Sequence, residues 1–250
     1  MGALMGLLLD PGLTGYTLAP DGPAAPGEAV DVLVCRHHRL PRDRMGQRLS
    51  PSGRSLIIQA LATTYGARVL PDDLERDGHR RWSVPGLELT VSVAHCGEFS
   101  AVALAPAARA IGVDLQDERE RPYALRWLGE LLGRQEAATI RDFAECEALI
   151  KASHLTKETF AGTRLPPWRP GWRPTETAAA LAAATPESGT EAAAGADAGT
   201  GGGAGTAGTE SAARYQLRSL VLRAEGVPPL HLALACDAPA PVRFHHLERE

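Results

Sequence analysis

The chain has 250 residues, 44% of them hydrophobic, and a formal net charge of −4. That is enough apolar material for one large domain or two small ones, and the charge argues against a general nucleic-acid binder. Cys35, Cys96, Cys146 and Cys236 stand far apart without a CxxC pair, which argues against a zinc ribbon or dense disulfide framework and fits a reducing cytoplasm.

In chain order, the opening MGALMGLLLDPG is apolar but short, without a basic flank, and Asp10 and Pro11 end it. It predicts neither a signal peptide nor a membrane span, so a cytoplasmic protein without membrane contact is expected. A basic segment follows, with arginines at 36, 39, 42, 44 and 48 against one acid, Asp43. Ser55–Tyr65 (SLIIQALATTY) has helical spacing. Arg80 and Arg81 precede LELTVSV (87–93), which alternates apolar and polar residues; SAVALA (100–105) follows a turn at Cys96–Glu98. These predict a hairpin of half-buried strands, with His95 near the end of its first strand.

A second half repeats the plan. Helical patterns run over 123–160 in two or three pieces, and Tyr215–Leu222 and Leu230–Cys236 (LHLALAC) flank a turn at Gly226–Pro229. Between them, 175–213 holds no Lys, Arg or aromatic residue and cannot bury enough apolar surface to offset its ordering entropy, so a flexible insertion is expected. The expectation is an α+β protein of two similar halves, 1–108 and 109–250. With both halves in one chain, a monomer is the simplest state.

Ile111-Gly112-Val113-Asp114-Leu115-Gln116 opens the second half with an acid inside an apolar strand. A buried carboxylate is costly without a partner: a metal, a helix N-terminus or an arginine. Gln116 shares the face of Asp114 at strand spacing. Further on, Glu147 and Lys151 stand at i and i+4 of a helical pattern that His154 and Glu158 continue. Taken alone, that pair reads better as a weak surface ion pair.

The order VAHCG (93–97), IGVDLQ (111–116) and CEALIKA (146–152), after SGRSLIIQALATTYG (52–66), resembles the surfactin-type 4′-phosphopantetheinyl transferases. The resemblance covers about residues 36–165. It implies two α+β halves in pseudo-two-fold arrangement, with coenzyme A and Mg²⁺ in the cleft between them. The implied activity transfers the phosphopantetheine arm of coenzyme A to a serine of an acyl or peptidyl carrier protein, releasing 3′,5′-ADP. Asp114, Gln116 and Glu147 would hold the metal, and Glu147 and Lys151 would be catalytic. Arg48, Arg80, Arg81, His95 and Lys151 would hold the coenzyme's phosphates.

Three positions depart from the pattern: Gln116 for the usual Glu, Cys146 for a lysine, and Ala94 for a serine. HLTKETF (154–160) offers a second register with Glu158 as the motif acid; it lacks the following lysine, so Glu147 is preferred. The departures also support a non-enzyme alternative, an impaired relative that only binds carrier proteins. A Mg²⁺-dependent phosphohydrolase is a further alternative, disfavoured by the lack of a second carboxylate cluster. Leu165–Arg173 (LPPWRPGWR) could form a carrier-docking rim or an ordinary Pro-rich loop.

Overall fold

The computed structural model describes residues 8–9, 28–36, 49–77, 81–97, 99–153, 155–156, 160–176, 214–223 and 228–248. It is an α+β structure of two sheets and three α-helices among the described residues. The first sheet has the strand order β11-β2-β6-β5-β4-β3, with β2 Val30–Arg36, β3 Glu75–Arg76, β4 Trp82–Val84, β5 Leu89–Cys96, β6 Phe99–Pro106 and β11 Val242–Glu248. The second runs β1-β9-β10-β7, with β8 also on β9; its strands are β1 Leu8–Leu9, β7 Ile111–Asp117, β8 Arg173–Glu176, β9 Arg214–Arg223 and β10 Leu230–Cys236. Both expected hairpins form, β5 with β6 and β9 with β10.

Strand alternation sorts the side chains into layers. Val30, Val32, Val34, Ala94, Ala101 and Ala103 of the first sheet meet Ile111, Val113, Leu115, Leu220, Leu232 and Leu234 of the second in one shared core. The opposite face of the first sheet, with Leu33, Val102 and Leu104, packs on α1 (Leu49–Tyr65) through Leu56, Ile57, Ala60 and Leu61. The outer face of the second sheet, with Leu217, Ala233 and Ala235, receives α2 (Pro122–Leu131) and α3 (Ile140–Ala152).

Helix α3 lies close to its sheet because Ala144, Ala148 and Ala152 recur at i, i+4 and i+8 and are fully buried. The close approach is also why position 112 is glycine: a Cβ there would stand 1.9 Å from the Ala148 carbonyl oxygen. A capping box starts the helix. Thr139 Oγ1 accepts from the Asp142 backbone N–H (3.1 Å), and the Asp142 carboxylate accepts from the Thr139 N–H (2.8 Å).

Two boundaries differ from the sequence reading, and two strands pair across the expected halves. Helix α1 begins at Leu49 rather than Ser55, since Pro51 in its first turn removes a donor that would have no partner there. Thr175 and Glu176, expected within the insertion, are paired with Tyr215 and Arg214 in the ladder of β8 and β9. The C-terminal strand β11 pairs in parallel with β2, Val242 opposite Val30, and so belongs to the first sheet. Conversely, Leu8–Leu9 pairs with β9 of the second. Residues 177–213 lie outside the described residues. Among those described, no helix is long and apolar enough to cross a membrane.

Candidate functional site

The partner of Asp114 is Lys151. Strand β7 pairs with β10 on one side, and beyond Val91 strand β5 has no strand partner on its β4 side among the described residues. These two open edges run next to each other. Ser92 Oγ accepts from the Val113 N–H (2.9 Å), and Lys151, in the last turn of α3, donates to the carbonyls of Val113 (2.9 Å) and Val93 (3.3 Å). Its remaining proton goes to Asp114 Oδ1 at 2.8 Å. One ammonium thus ties α3 to both sheets, at a helix end where the backbone dipole favours a cation. Lys151 remains 30% exposed, while Asp114 is buried.

A polar chain continues from there. Gln116 Nε2 donates to Asp114 Oδ2 (2.6 Å), and its carbonyl oxygen accepts from Arg121. Arg121 also reaches Asp117 Oδ1 (2.8 Å) and lies over the Phe143 ring, while Arg119 bonds Asp117 Oδ2 (2.6 Å). Burial alone would raise the Asp117 carboxyl, but hydrogen bonds and charge from Arg119 and Arg121 hold it below the usual carboxylate range. Burial, aided by the charge of Asp117, pushes the neighbouring Cys96 thiol up to about 11, which makes it a poor nucleophile. All four cysteines are buried and free of disulfides.

Lys151 forms part of the wall of an open cleft of about 260 Å³ lined by Arg76, Arg81, Trp82, Val91–Val93 and Ile150. Three of these side chains are cations and none is an acid. Its size lies just below the usual range for ligand pockets, about 300–1,000 Å³. Arg81 is oriented by Asp77, whose Oδ2 accepts from Nε at 2.7 Å, and Arg76 lies over the Trp82 ring at 5.1 Å. Arg76 and Trp82 were not among the candidates read from sequence; their signal was proximity to Arg80–Arg81 at the entry to the first hairpin.

The other expected site residues fall into three groups. His95 lies two residues beyond Val93 on the same face of β5; its Nδ1 shares a 2.6 Å hydrogen bond with Ser100 Oγ, and its Nε2 faces Gly53 of α1. Glu147 stands one turn before Lys151, half-buried in an apolar slit lined by Trp127, Leu131, Phe143, Ile150 and Phe160. Ile150 borders both slit and cleft. Arg48, Arg80 and Glu158 lie outside the described residues. Helix α3 ends at Ala152 and Leu155–Thr156 is not helical, so of the two motif registers only that of Glu147 is seen on a helix. In the proposed docking rim, Trp172 donates to the Ala240 carbonyl (2.7 Å), and Arg173 is buried against Glu145 (2.5 Å) and Ser219 (3.1 Å). Two of its four anchors therefore serve the interior.

The expected magnesium set does not fit this arrangement. A divalent ion of this kind wants open carboxylate and carbonyl oxygens. Here each Asp114 oxygen already accepts from a donor, and Gln116 turns its amide N–H, not its oxygen, towards Asp114. Among the described residues no three His, Cys, Asp or Glu side chains gather where they could hold a metal. No protein-family model matches the chain, and no curated protein matches it.

Proposed function

We propose that the chain transfers the 4′-phosphopantetheine arm of coenzyme A to a serine of an acyl or peptidyl carrier protein. The observation that carries this reading is the cationic cleft at the seam, with Arg76, Arg81 and Lys151 on its wall and Asp114 behind Lys151. The order of the three motifs along the chain and the packing of helices outside each sheet support the reading.

In this reading the arginines and Lys151 bind the pyrophosphate of coenzyme A and neutralise the charge that grows on it during transfer. The serine Oγ attacks the β-phosphorus as the bond to the bridging oxygen breaks, and 3′,5′-ADP leaves. Glu147, held in a half-buried apolar slit, takes the serine proton. Lys151 donates to the leaving phosphate by giving up its longest bond, the one to Val93 O. Asp114 keeps the ammonium aimed through its 2.8 Å bond.

The impaired-binder alternative draws on particular positions as well. Cys146 is buried and Ala94 faces the inter-sheet core, so neither side chain meets a phosphate. Mass spectrometry of an apo carrier protein incubated with this chain and coenzyme A, with Mg²⁺ or with chelator, separates the two. A mass gain of one phosphopantetheinyl group in either sample, lost with Arg81→Ala, is the expected result. Carrier binding without any mass gain would favour the impaired binder.

A further inference from the structure

We infer that the Asp114 centre excludes a divalent cation: the Lys151 ammonium fills the cation's position, and Gln116 locks the surrounding hydrogen bonds in the polarity that shuts a metal out. The inference rests on the transferase reading only for the expectation that a metal belongs here.

Lys151 has three N–H bonds and three acceptors: Asp114 Oδ1, Val113 O and Val93 O. It is fully engaged, and its place at the seam is fixed by both sheets. A metal at Asp114 would have to displace the ammonium and leave it close by as a like charge. The local balance makes this worse, because Asp114 and Asp117 already face three cations, Lys151, Arg119 and Arg121. A divalent ion would join a cluster that carries an excess positive charge.

Gln116 sets the polarity. Its amide nitrogen donates to Asp114 and its oxygen accepts from Arg121. Turning the amide over to offer its oxygen to a metal would point its N–H groups at the Arg121 guanidinium, which has no acceptor. A glutamate at this position would instead face Asp114 with a second carboxylate. Two acids side by side, with the lysine removed, form a hard-oxygen pair of the kind that holds small divalent ions.

Mn²⁺ serves as the probe, with its free fraction read by electron paramagnetic resonance on the full chain. Wild type is expected to take up no stoichiometric Mn²⁺ at millimolar metal, and the double variant Gln116→Glu, Lys151→Met is expected to bind one ion, roughly tenfold or more tighter. One Mn²⁺ per wild-type chain, lost in Asp114→Asn, would overturn the inference, as would a folded double variant that binds no better than wild type. If the double variant fails to fold, wild type and Asp114→Asn still decide the matter. Carrier modification that survives chelation supports the inference, and modification that strictly needs the metal overturns it. No modification under any condition would count against the transferase reading alone, and the Mn²⁺ comparison would still decide this one.

Discussion

Asp31 and Asp114 are both aspartates within an apolar strand, 0% and 5% exposed, yet their surroundings are built differently. Asp31 on β2 accepts two bonds from Arg243 (2.8 and 2.7 Å), one from Tyr65 Oη (2.9 Å) and one from His245 Nε2 (2.8 Å). Asp114 has one lysine and one amide, and the lysine opens onto a cleft. A bidentate guanidinium with two further donors fixes a carboxylate's geometry completely. An ammonium that also holds two carbonyls stays in place, yet can exchange its longest bond, 3.3 Å to Val93 O, for an anion in the cleft. Burial alone does not tell a tether from a working group; the partner's identity and its access to a ligand do.

The largest expected effect tests the tether. Asp31→Ala would leave Arg243 beside an emptied acceptor site and release β11, whose parallel pairing with β2 is the C-terminal strand's link to the first sheet. Stability is expected to fall by about 3–5 kcal/mol, read by urea denaturation, while protein that remains folded keeps its carrier modification. Loss of modification without loss of stability would make Asp31 part of the working site and collapse the contrast.

The reverse pattern is expected for Lys151→Met. Its stability cost should be about 1–3 kcal/mol, since Asp114 keeps the Gln116 bond but loses its cation. Carrier modification should fall about a hundredfold or more, the scale of losing one preorganised charge at a developing anion. Mass spectrometry against time, beside a melting curve, gives both numbers. A variant that modifies carrier at the wild-type rate would reduce Lys151 to a clamp between the sheets.

The sequence carried the same sign at both aspartates. VDVLVC (30–35) and IGVDLQ (111–116) each set an acid in a buried strand, but only the second belongs to a motif. Lys151 was legible only through the motif CEALIKA that carries the resemblance, since its spacing from Glu147 alone reads as a surface ion pair; the hairpins were legible because turn and alternation are local signals. The tether was not. Arg243 and His245 lie more than 200 residues from Asp31 (separations of 212 and 214), and no local pattern announces a parallel pairing across that distance. Glycine 112 was read as part of a motif, whereas packing alone accounts for it: α3 leaves no room for a Cβ. The polarity of Gln116 could not be read either, because it depends on Arg121 meeting the amide oxygen.

The smallest effect isolates one donor of the tether. Tyr65→Phe removes a single hydrogen bond to Asp31 and should cost about 1 kcal/mol near neutral pH. Burial alone would raise the Asp31 carboxyl, but bonds from Arg243, His245 and Tyr65 together outweigh it and hold the group below the usual carboxylate range. A carboxyl lowered in this way stabilises the fold above its unfolded pKa of about 3.9, and that stabilisation is lost as pH falls through the folded value. Tyr65 contributes by donating to the ionised form, so the gap between wild type and variant should close as Asp31 takes up its proton below about pH 4. Thermal melts of both proteins from neutral to strongly acid pH would show it. A gap that stays constant across that window would mean that the hydroxyl supports the fold through some contact other than the ionised Asp31, and the tether would then rest on Arg243 and His245 alone.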